Sequence, residues 1–226
     1  MKTKIKYCLP IVKKTRKEVL KALNIKGYDF YEIWLDYIKD LDNDFITQIS
    51  KSYKGKLIFV FRRQNLEKIK LSFDKRVEII SLLSKFNIFL DLDFLTQYEE
   101  LEYMQQKNII IKLILSFHNY KETPSLDHLK NLINKMKRYT PAIFKVSTFC
   151  KEETDALNLL NLILILKAQK LKYIVLGMGE EGFITRIFGT IWGNEITFAP
   201  KTLSEKSAQG QLTKKQLEDI FSKILK

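Results

Sequence analysis

The sequence is poor in cysteine, with only Cys8 and Cys150. Two cysteines are too few for the disulfide framework that holds small secreted domains together, so we expect a protein of the reducing cytoplasm. The N-terminus is basic, but Lys6 and Lys13 interrupt any apolar segment that could follow it in an export signal. We therefore expect no export.

Long hydrophobic runs are also absent. The longest apolar stretch, residues 157–166, contains Asn158 and Asn161. It falls well short of the roughly 20 residues that a membrane-spanning helix needs. We expect a soluble protein with no membrane partner.

Arginine is scarce, and the net charge of +13 comes almost wholly from lysine. Proteins that read phosphates and base edges depend on arginine forks and local basic clusters. Here the lysines are spread along the chain, and arginine occurs only at positions 16, 62, 63, 76, 138 and 186. We interpret the excess as dispersed surface charge and expect no nucleic-acid partner. The positive field would still attract an anionic substrate.

No segment rich in proline, glycine or serine divides the chain, and it has no internal repeat. With 226 residues, 46% of them hydrophobic, the chain can form a full core, which excludes a disordered protein. We therefore predict one domain over residues 1–226.

Strand-like and helical patterns alternate along the chain. The predicted strands cover residues 5–12, 30–37, 56–62, 87–94, 108–118, 142–150, 171–178 and 195–199. The predicted helices cover residues 16–23, 43–52, 73–86, 97–106, 125–139, 152–170 and 213–225, with a weaker turn at 182–193. Apolar strands of this kind are typical of a buried parallel sheet. A single-domain (β/α)8 TIM barrel is the simplest closure, and a doubly wound open sheet is the alternative.

Two successive strands of this sheet carry a candidate catalytic pair. His118 closes one apolar run and Lys145 lies inside the next. Parallel strands would bring both to the carboxyl edge, where barrel enzymes keep their chemistry. Burial should lower the pKa of Lys145 and make its neutral amine a nucleophile. The lysine amine could form an imine and the histidine could move a proton. Together they predict a site for carbonyl chemistry.

Other polar residues are expected at the same edge. They are Glu32, Asp36, Arg62, Asp91, Asp93 and Arg186. Arg62 and Arg186 both follow apolar strands and could bind a carboxylate in a bidentate manner, whereas we interpret Arg63 as a solvated neighbour. His118 has no second histidine or cysteine at metal-ligand spacing, so we expect no metal.

The glycine pattern of residues 177–182, GMGEEG, matches a dinucleotide-binding turn. Only one predicted strand follows it, so the required βαβ unit cannot be built, and two glutamates would face the pyrophosphate. We exclude a dinucleotide and expect the loop to let the backbone approach a small ligand.

Taken together, these residues resemble the type I 3-dehydroquinate dehydratases, lysine-dependent barrels of the shikimate pathway. The resemblance extends from EIWLD at residues 32–36 to SAQGQ at residues 207–211. Its most specific segments are SFH at 116–118, FKV at 144–146, GFITR at 182–186 and SAQGQ.

The resemblance implies a reaction and a role for each residue. Lys145 would condense with the C3 ketone of 3-dehydroquinate, and His118 would remove the C2 proton and then protonate the departing C1 hydroxyl. The implied substrate-binding residues are Glu32, Trp34, Arg62, Met178, Arg186, Ser207 and Gln211. Arg186, Ser207 and Gln211 would hold the carboxylate, Glu32 and Arg62 the ring hydroxyls, and Met178 the ring face. No cofactor is needed, and the family often forms homodimers.

The chain departs from the family pattern at several positions. Trp34 stands where the family has an arginine. The family places a glutamate, which orients the histidine, four residues after the arginine equivalent to Arg62, where this chain has Leu66. Glu67 could replace that glutamate through a one-residue loop shift. The pair Asp91 and Asp93 replaces an aspartate and a glutamate, and Gln209 replaces a proline.

These departures keep two alternatives to an active dehydratase open. One is another imine-forming, aldolase-like barrel enzyme whose pocket is reshaped by Trp34 and Leu66. The other is a catalytically weakened or inactive homologue that binds an anionic partner through its basic surface.

Overall fold

The computed structural model describes residues 4–63, 67–68 and 70–225. Leu66, which the sequence analysis singles out, lies outside these ranges. Within them, eight strands form one parallel sheet in the spatial order β7-β6-β5-β4-β3-β2-β1-β8. The strands are β1 (Tyr7–Ile11), β2 (Phe30–Trp34), β3 (Leu57–Val60), β4 (Phe89–Asp93), β5 (Lys112–Asn119), β6 (Ile143–Phe149), β7 (Tyr173–Met178) and β8 (Thr197–Phe198).

A helix follows each strand, so the predicted (β/α)8 barrel is confirmed. The helices are α1 (Arg16–Leu23), α2 (Asn43–Ser52), α3 (Phe73–Leu83), α4 (Tyr98–Gln106), α5 (Leu126–Met136), α6 (Glu153–Ala168), α7 (Phe183–Trp192) and α8 (Lys214–Ile224). Ser125 caps α5, and Thr213 forms a capping box with Gln216 at α8, as their spacing predicts. None of the described helices combines the length and apolar character needed to span a membrane.

The prediction of a weaker turn at residues 182–193 was wrong, because most of this segment forms helix α7. The helix contains Gly189, a residue of low helix propensity, and Gly193 ends it with a φ of +119°. A Cβ on Gly189 would stand 3.2 Å from both Ile163 Cδ1 and the Val175 carbonyl oxygen. The glycine that weakened the helical pattern therefore serves the close packing of α7 on α6 and β7.

The strands alternate between two apolar layers. One layer fills the barrel interior and includes Cys8, Trp34, Ile58, Val60, Ile114, Ile143, Ile174, Leu176, Ile196 and Phe198. The other, larger layer lies between the strands and the surrounding helices. On β6, Ile143 belongs to the interior layer, whereas Phe144 and Val146 belong to the outer one. This period of two directs Lys145 into the barrel.

The barrel closes between β7 and the short β8. The backbone N–H of Glu195 donates to the carbonyl of Tyr173 at 2.8 Å. The Asn194 side chain accepts from the Val175 N–H at 2.9 Å and donates to the Val175 carbonyl at 3.0 Å. One amide side chain thus supplies the ladder hydrogen bonds that the short β8 cannot make.

Candidate active site

A cavity of about 400 Å³ opens at the carboxyl ends of the strands. Its walls are formed by Glu32, Trp34, Arg63, His118, Tyr120, Lys145, Ser147, Phe149, Leu176, Met178, Arg186, Phe198, Ser207, Ala208, Gln209 and Gln211. Of the nine catalytic and substrate-binding residues that the family resemblance implies, eight are in this wall, and Arg62 is not. The size suits a small ligand that is mostly surrounded by protein.

Lys145 lines the cavity and has 5% of its surface exposed. Its Nζ is 2.6 Å from Asp91 Oδ2, 3.5 Å from Glu32 Oε1 and 4.5 Å from the centre of the Phe198 ring. Burial lowers the pKa of Lys145, but the two carboxylates outweigh burial and raise the pKa above its ordinary value. The expectation of a lowered pKa was wrong, because the sequence did not show that two carboxylates face the amine.

His118 is held against β4, the strand that precedes its own. Its Nδ1 lies 3.0 Å from Asp93 Oδ2, and the same oxygen accepts the backbone N–H of His118 at 2.9 Å. Burial is the main reason that its pKa falls to about 4, and the positive charges of Arg63 and Lys145 lower it further. The imidazole is therefore neutral at neutral pH, as a general base must be.

The arginine expected from β3 is a different residue. Arg62 donates through its side chain to the Lys68 carbonyl and stacks on the Tyr37 ring, 3.6 Å from its centre. Arg63 is 2% exposed and lies in the cavity wall, so its interpretation as a solvated neighbour was wrong. The alternation of β3 ends at Val60, so it does not extend to residues 62 and 63.

Arg63, unlike Arg62, has a glutamate four residues after it, which is the spacing of the family pattern. Glu67 stands four residues after Arg63, and its Oε1 is 3.1 Å from the Arg63 guanidinium. Glu67 also accepts from the hydroxyl of Tyr120. Glu67 was expected to replace the family's glutamate through a one-residue shift of the loop. It does pair with the arginine four residues before it, but the carboxylate that contacts His118 Nδ1 is Asp93.

Asp36 does not line the cavity but fixes the segment that carries Arg63. One carboxylate oxygen accepts the backbone N–H of Arg62 at 2.9 Å. The other accepts the N–H groups of Lys70 and Leu71 at 3.2 and 3.1 Å. The side chain therefore ties Arg62, Lys70 and Leu71 to the turn that follows β2, which is a structural role that its position in the sequence did not reveal.

Trp34 and Glu32 form one unit in the cavity wall. The indole N–H of Trp34 donates to Glu32 Oε2 at 3.0 Å, while Glu32 Oε1 faces Lys145. The Arg63 guanidinium lies 4.9 Å from the Trp34 ring. A cation is thus retained near residue 34 even though the family's arginine is replaced by tryptophan.

Arg186 is a buried cation whose partners are few. One terminal nitrogen donates to the Gln209 carbonyl at 2.9 Å, and Nε has no hydrogen-bond partner among the described residues. Burial lowers the pKa of Arg186 to about 10. A buried guanidinium with free donors in a cavity wall is suited to an anionic ligand.

The segment after β8 covers Arg186. Ser207 and Gln211 are joined by a hydrogen bond from Gln211 Nε2 to Ser207 Oγ at 3.1 Å. Gly210 has a φ of +75°, and a Cβ there would stand 2.8 Å from the Gly179 carbonyl oxygen. The glycines of the 177–182 loop therefore serve contacts of the chain with itself, and the expected close approach of this loop to a ligand stays a prediction. Met178 of this loop does line the cavity.

The sequence analysis missed several wall residues, among them Tyr120, Ser147, Phe149 and Phe198. Ser147 could have been found, because it follows Lys145 by two residues on the same strand face. In the described part of the chain, no group of three or more histidine, cysteine, aspartate or glutamate side chains is placed to hold a metal ion.

The buried lysine, the neutral histidine and the incompletely paired arginine lie at the mouth of a (β/α)8 barrel, and this fold and site are those of a barrel enzyme. Comparison with known proteins agrees with this class, since the model of the type I 3-dehydroquinase family matches residues 7–225. The chain belongs to the type I 3-dehydroquinase family.

Relatives and solved structures match the chain over nearly its full length. The 3-dehydroquinate dehydratase of Thermodesulfovibrio yellowstonii is 32% identical over 201 residues, which cover 87% of this chain and 86% of that protein. The enzyme of the same name from Methanococcus maripaludis is 29% identical over 222 residues, covering 96% and 99%. The structure of 3-dehydroquinate dehydratase from Geobacillus kaustophilus has the same fold, with a TM-score of 0.84, 21% identity and coverage of 99% and 92%.

Proposed function

We propose that this protein is a hydro-lyase that dehydrates 3-dehydroquinate to 3-dehydroshikimate through an imine on Lys145. The observation that carries the proposal is the placement of Lys145 and His118 in one cavity whose wall also holds the incompletely paired cation Arg186. These three groups supply a nucleophile, a base and a carboxylate anchor. The catalytic unit spans residues 1–226.

Lys145 begins the reaction. Its ammonium group must first lose a proton, and Asp91, at 2.6 Å, is the nearest acceptor. The amine then adds to the C3 ketone, and loss of water gives an iminium ion. The iminium draws electrons from C2 and so acidifies the proton there. No cofactor takes part.

His118 moves the proton in the next two steps. Its neutral ring takes the C2 proton, leaving an enamine on Lys145 and an imidazolium ion. The imidazolium then gives its proton to the C1 hydroxyl, which leaves as water while the enamine electrons form the new C1–C2 double bond. Hydrolysis of the iminium releases the product and restores Lys145.

The remaining wall residues hold the substrate. Arg186, with Ser207 and Gln211 above it, would bind the C1 carboxylate. Glu32 would bind a ring hydroxyl, and Met178 would pack on the ring. Arg63 takes the role that the sequence analysis gave to Arg62, because Arg63 lines the cavity and its Nε has no partner among the described residues. Trp34 holds Glu32 in place.

Arg186→Ala should mainly weaken substrate binding. The loss of a charge-assisted carboxylate contact is expected to raise KM roughly 10- to 100-fold with a smaller change in kcat. Steady-state kinetics with 3-dehydroquinate measures both constants. The control is Arg138→Ala, which removes an exposed arginine outside the cavity. An unaltered KM for Arg186→Ala would place the carboxylate elsewhere.

Arg63 and Arg62 offer a paired test of the corrected assignment. We expect Arg63→Ala to reduce kcat/KM at least about tenfold more than Arg62→Ala, because only Arg63 reaches the cavity. Both variants are compared by kcat/KM and by melting temperature, so that a general loss of folding is recognised. A larger catalytic defect in Arg62→Ala would restore the original assignment.

We also propose that the protein acts in the cytoplasm as a homodimer. The unpaired state of Cys8 and Cys150 supports a reducing compartment. The exposure of Leu157 and Leu164 on α6, 56% and 49%, supports contact with a second copy. Light scattering that gives the mass of a monomer at micromolar concentration would contradict the dimer.

A further inference from the structure

Asp93 is the carboxylate in contact with the histidine ring. It ends β4, beside β5, and is 1% exposed. Its Oδ2 accepts the backbone N–H of His118 at 2.9 Å and lies 3.0 Å from Nδ1 of the same residue. One oxygen therefore fixes both the backbone and the ring of His118.

The orientation of Asp93 is itself fixed by its second oxygen. Asp93 Oδ1 accepts the N–H of Leu95 at 3.1 Å, the N–H of Thr96 at 3.0 Å and the Thr96 hydroxyl at 3.0 Å. Burial acts to raise the pKa of Asp93, but hydrogen bonding to His118 and nearby positive charge bring the pKa below its ordinary value. The carboxylate is therefore ionised, and it only accepts hydrogen bonds.

An acceptor at Nδ1 decides which ring nitrogen of His118 carries the proton. Nδ1 must be the N–H donor to Asp93, so in the neutral ring Nε2 holds the lone pair. His118 lines the cavity, and Nε2 is the nitrogen left to meet a ligand there. The carboxylate thus prepares His118 to take a proton from the ligand.

Glu67 is engaged elsewhere. It accepts from the backbone and guanidinium of Arg63 and from the Tyr120 hydroxyl. The Tyr120 ring lies edge-on to His118, with ring centres 6.2 Å apart. The family resemblance gives the orienting of the histidine to a glutamate after β3. In this chain that role is therefore left to another residue.

We propose that Asp93 is the positioning residue that holds His118 in the Nδ1–H tautomer and directs Nε2 to the substrate. This inference rests on the proposed role of His118 as the base. It makes the aspartate at the end of β4, and not the glutamate after β3, the partner of the catalytic histidine.

The tautomer can be read directly by ¹⁵N NMR of protein labelled in its histidine rings. The chain has only two histidines, and His128→Gln identifies the signals of exposed His128. At neutral pH we expect the His118 ring to be neutral with its proton on Nδ1. Asp93→Asn should convert the ring to the Nε2–H form or to a mixture, whereas Glu67→Gln, the matched control, should leave it unchanged. A wild-type ring protonated on Nε2 would overturn the proposal, whether or not Asp93→Asn folds.

Kinetics supply the second readout. Asp93→Asn should lower kcat roughly 10²- to 10³-fold with little change in KM while the imine on Lys145 still forms, because only proton transfer is affected. Asp93→Glu, which keeps the carboxylate, should recover part of the rate. Glu67→Gln weakens the contact that holds Arg63, a proposed substrate-binding residue, so its effect should fall on KM, and its kcat should stay within about threefold of wild type. A larger kcat defect in Glu67→Gln than in Asp93→Asn would return the role to Glu67. Failure to form an imine in the wild type would instead contradict the proposed function and leave the NMR result unaffected.

Discussion

Lys145→Ala is expected to abolish turnover of 3-dehydroquinate, with kcat reduced at least about 10³-fold. Without the amine no imine forms, and C2 keeps the low acidity of an ordinary ketone. Rate of product formation, followed by the absorbance of the conjugated product, measures the loss. The control is Lys112→Ala, which removes an exposed lysine at the start of β5. Residual activity within tenfold of wild type would end the imine mechanism.

A second substitution separates chemistry from folding. In Lys145→Ala, Asp91 and Glu32 lose the cation that both carboxylates face, and burying unpaired charge is strongly destabilising. Lys145→Arg keeps a positive charge beside both carboxylates, but its guanidinium stays protonated and cannot form the imine. We expect Lys145→Arg to melt closer to wild type than Lys145→Ala does and to be equally inactive.

His118→Ala is expected to lower kcat roughly 10²- to 10⁴-fold, the usual contribution of a general acid–base group. The substrate should still bind and condense with Lys145, because neither Arg186 nor the amine is changed. Reduction with borohydride in the presence of substrate should therefore trap a covalent adduct in this variant. His128→Ala, which removes the exposed histidine of α5, is the matched control. An unchanged rate in His118→Ala would remove His118 from its role.

The low pKa of His118 adds a pH dependence to this test. The group must be neutral to act as a base, and its pKa of about 4 keeps it neutral above that pH. The base is lost as pH falls through this value, so the acid limb of kcat/KM should lie well below the ordinary histidine pKa of about 6.5. Absence of that limb in His118→Ala distinguishes the histidine from Asp91 and Asp93.

The sequence predicted the barrel because its strands and helices alternate with clear periods. Helices α1 and α2 begin and end at the predicted residues. Lys145 and His118 came together for the same reason, since parallel neighbouring strands share one carboxyl edge. The period of two along a strand is local information, and it was sufficient to place these two side chains.

The predictions failed where they depended on more than the local alternation of residues along a strand. The segment after Val60 is no longer a strand, so alternation could not decide between Arg62 and Arg63, and the anchoring of this segment by Asp36 is a contact between distant parts of the chain. The raised pKa of Lys145 likewise depends on carboxylates from β2 and β4. These features follow from three-dimensional proximity, which residue type and spacing do not reveal.

The most direct test of the imine on Lys145 is mass spectrometry after borohydride reduction in the presence of 3-dehydroquinate, followed by peptide mapping. Borohydride reduces an iminium to a stable secondary amine and so marks the lysine that formed it. We predict one ligand-derived mass increase, on the peptide that contains Lys145, and none in Lys145→Arg. A folded wild-type protein that gives no adduct, or an adduct on another lysine, would contradict the proposed chemistry and favour a reshaped or inactive site.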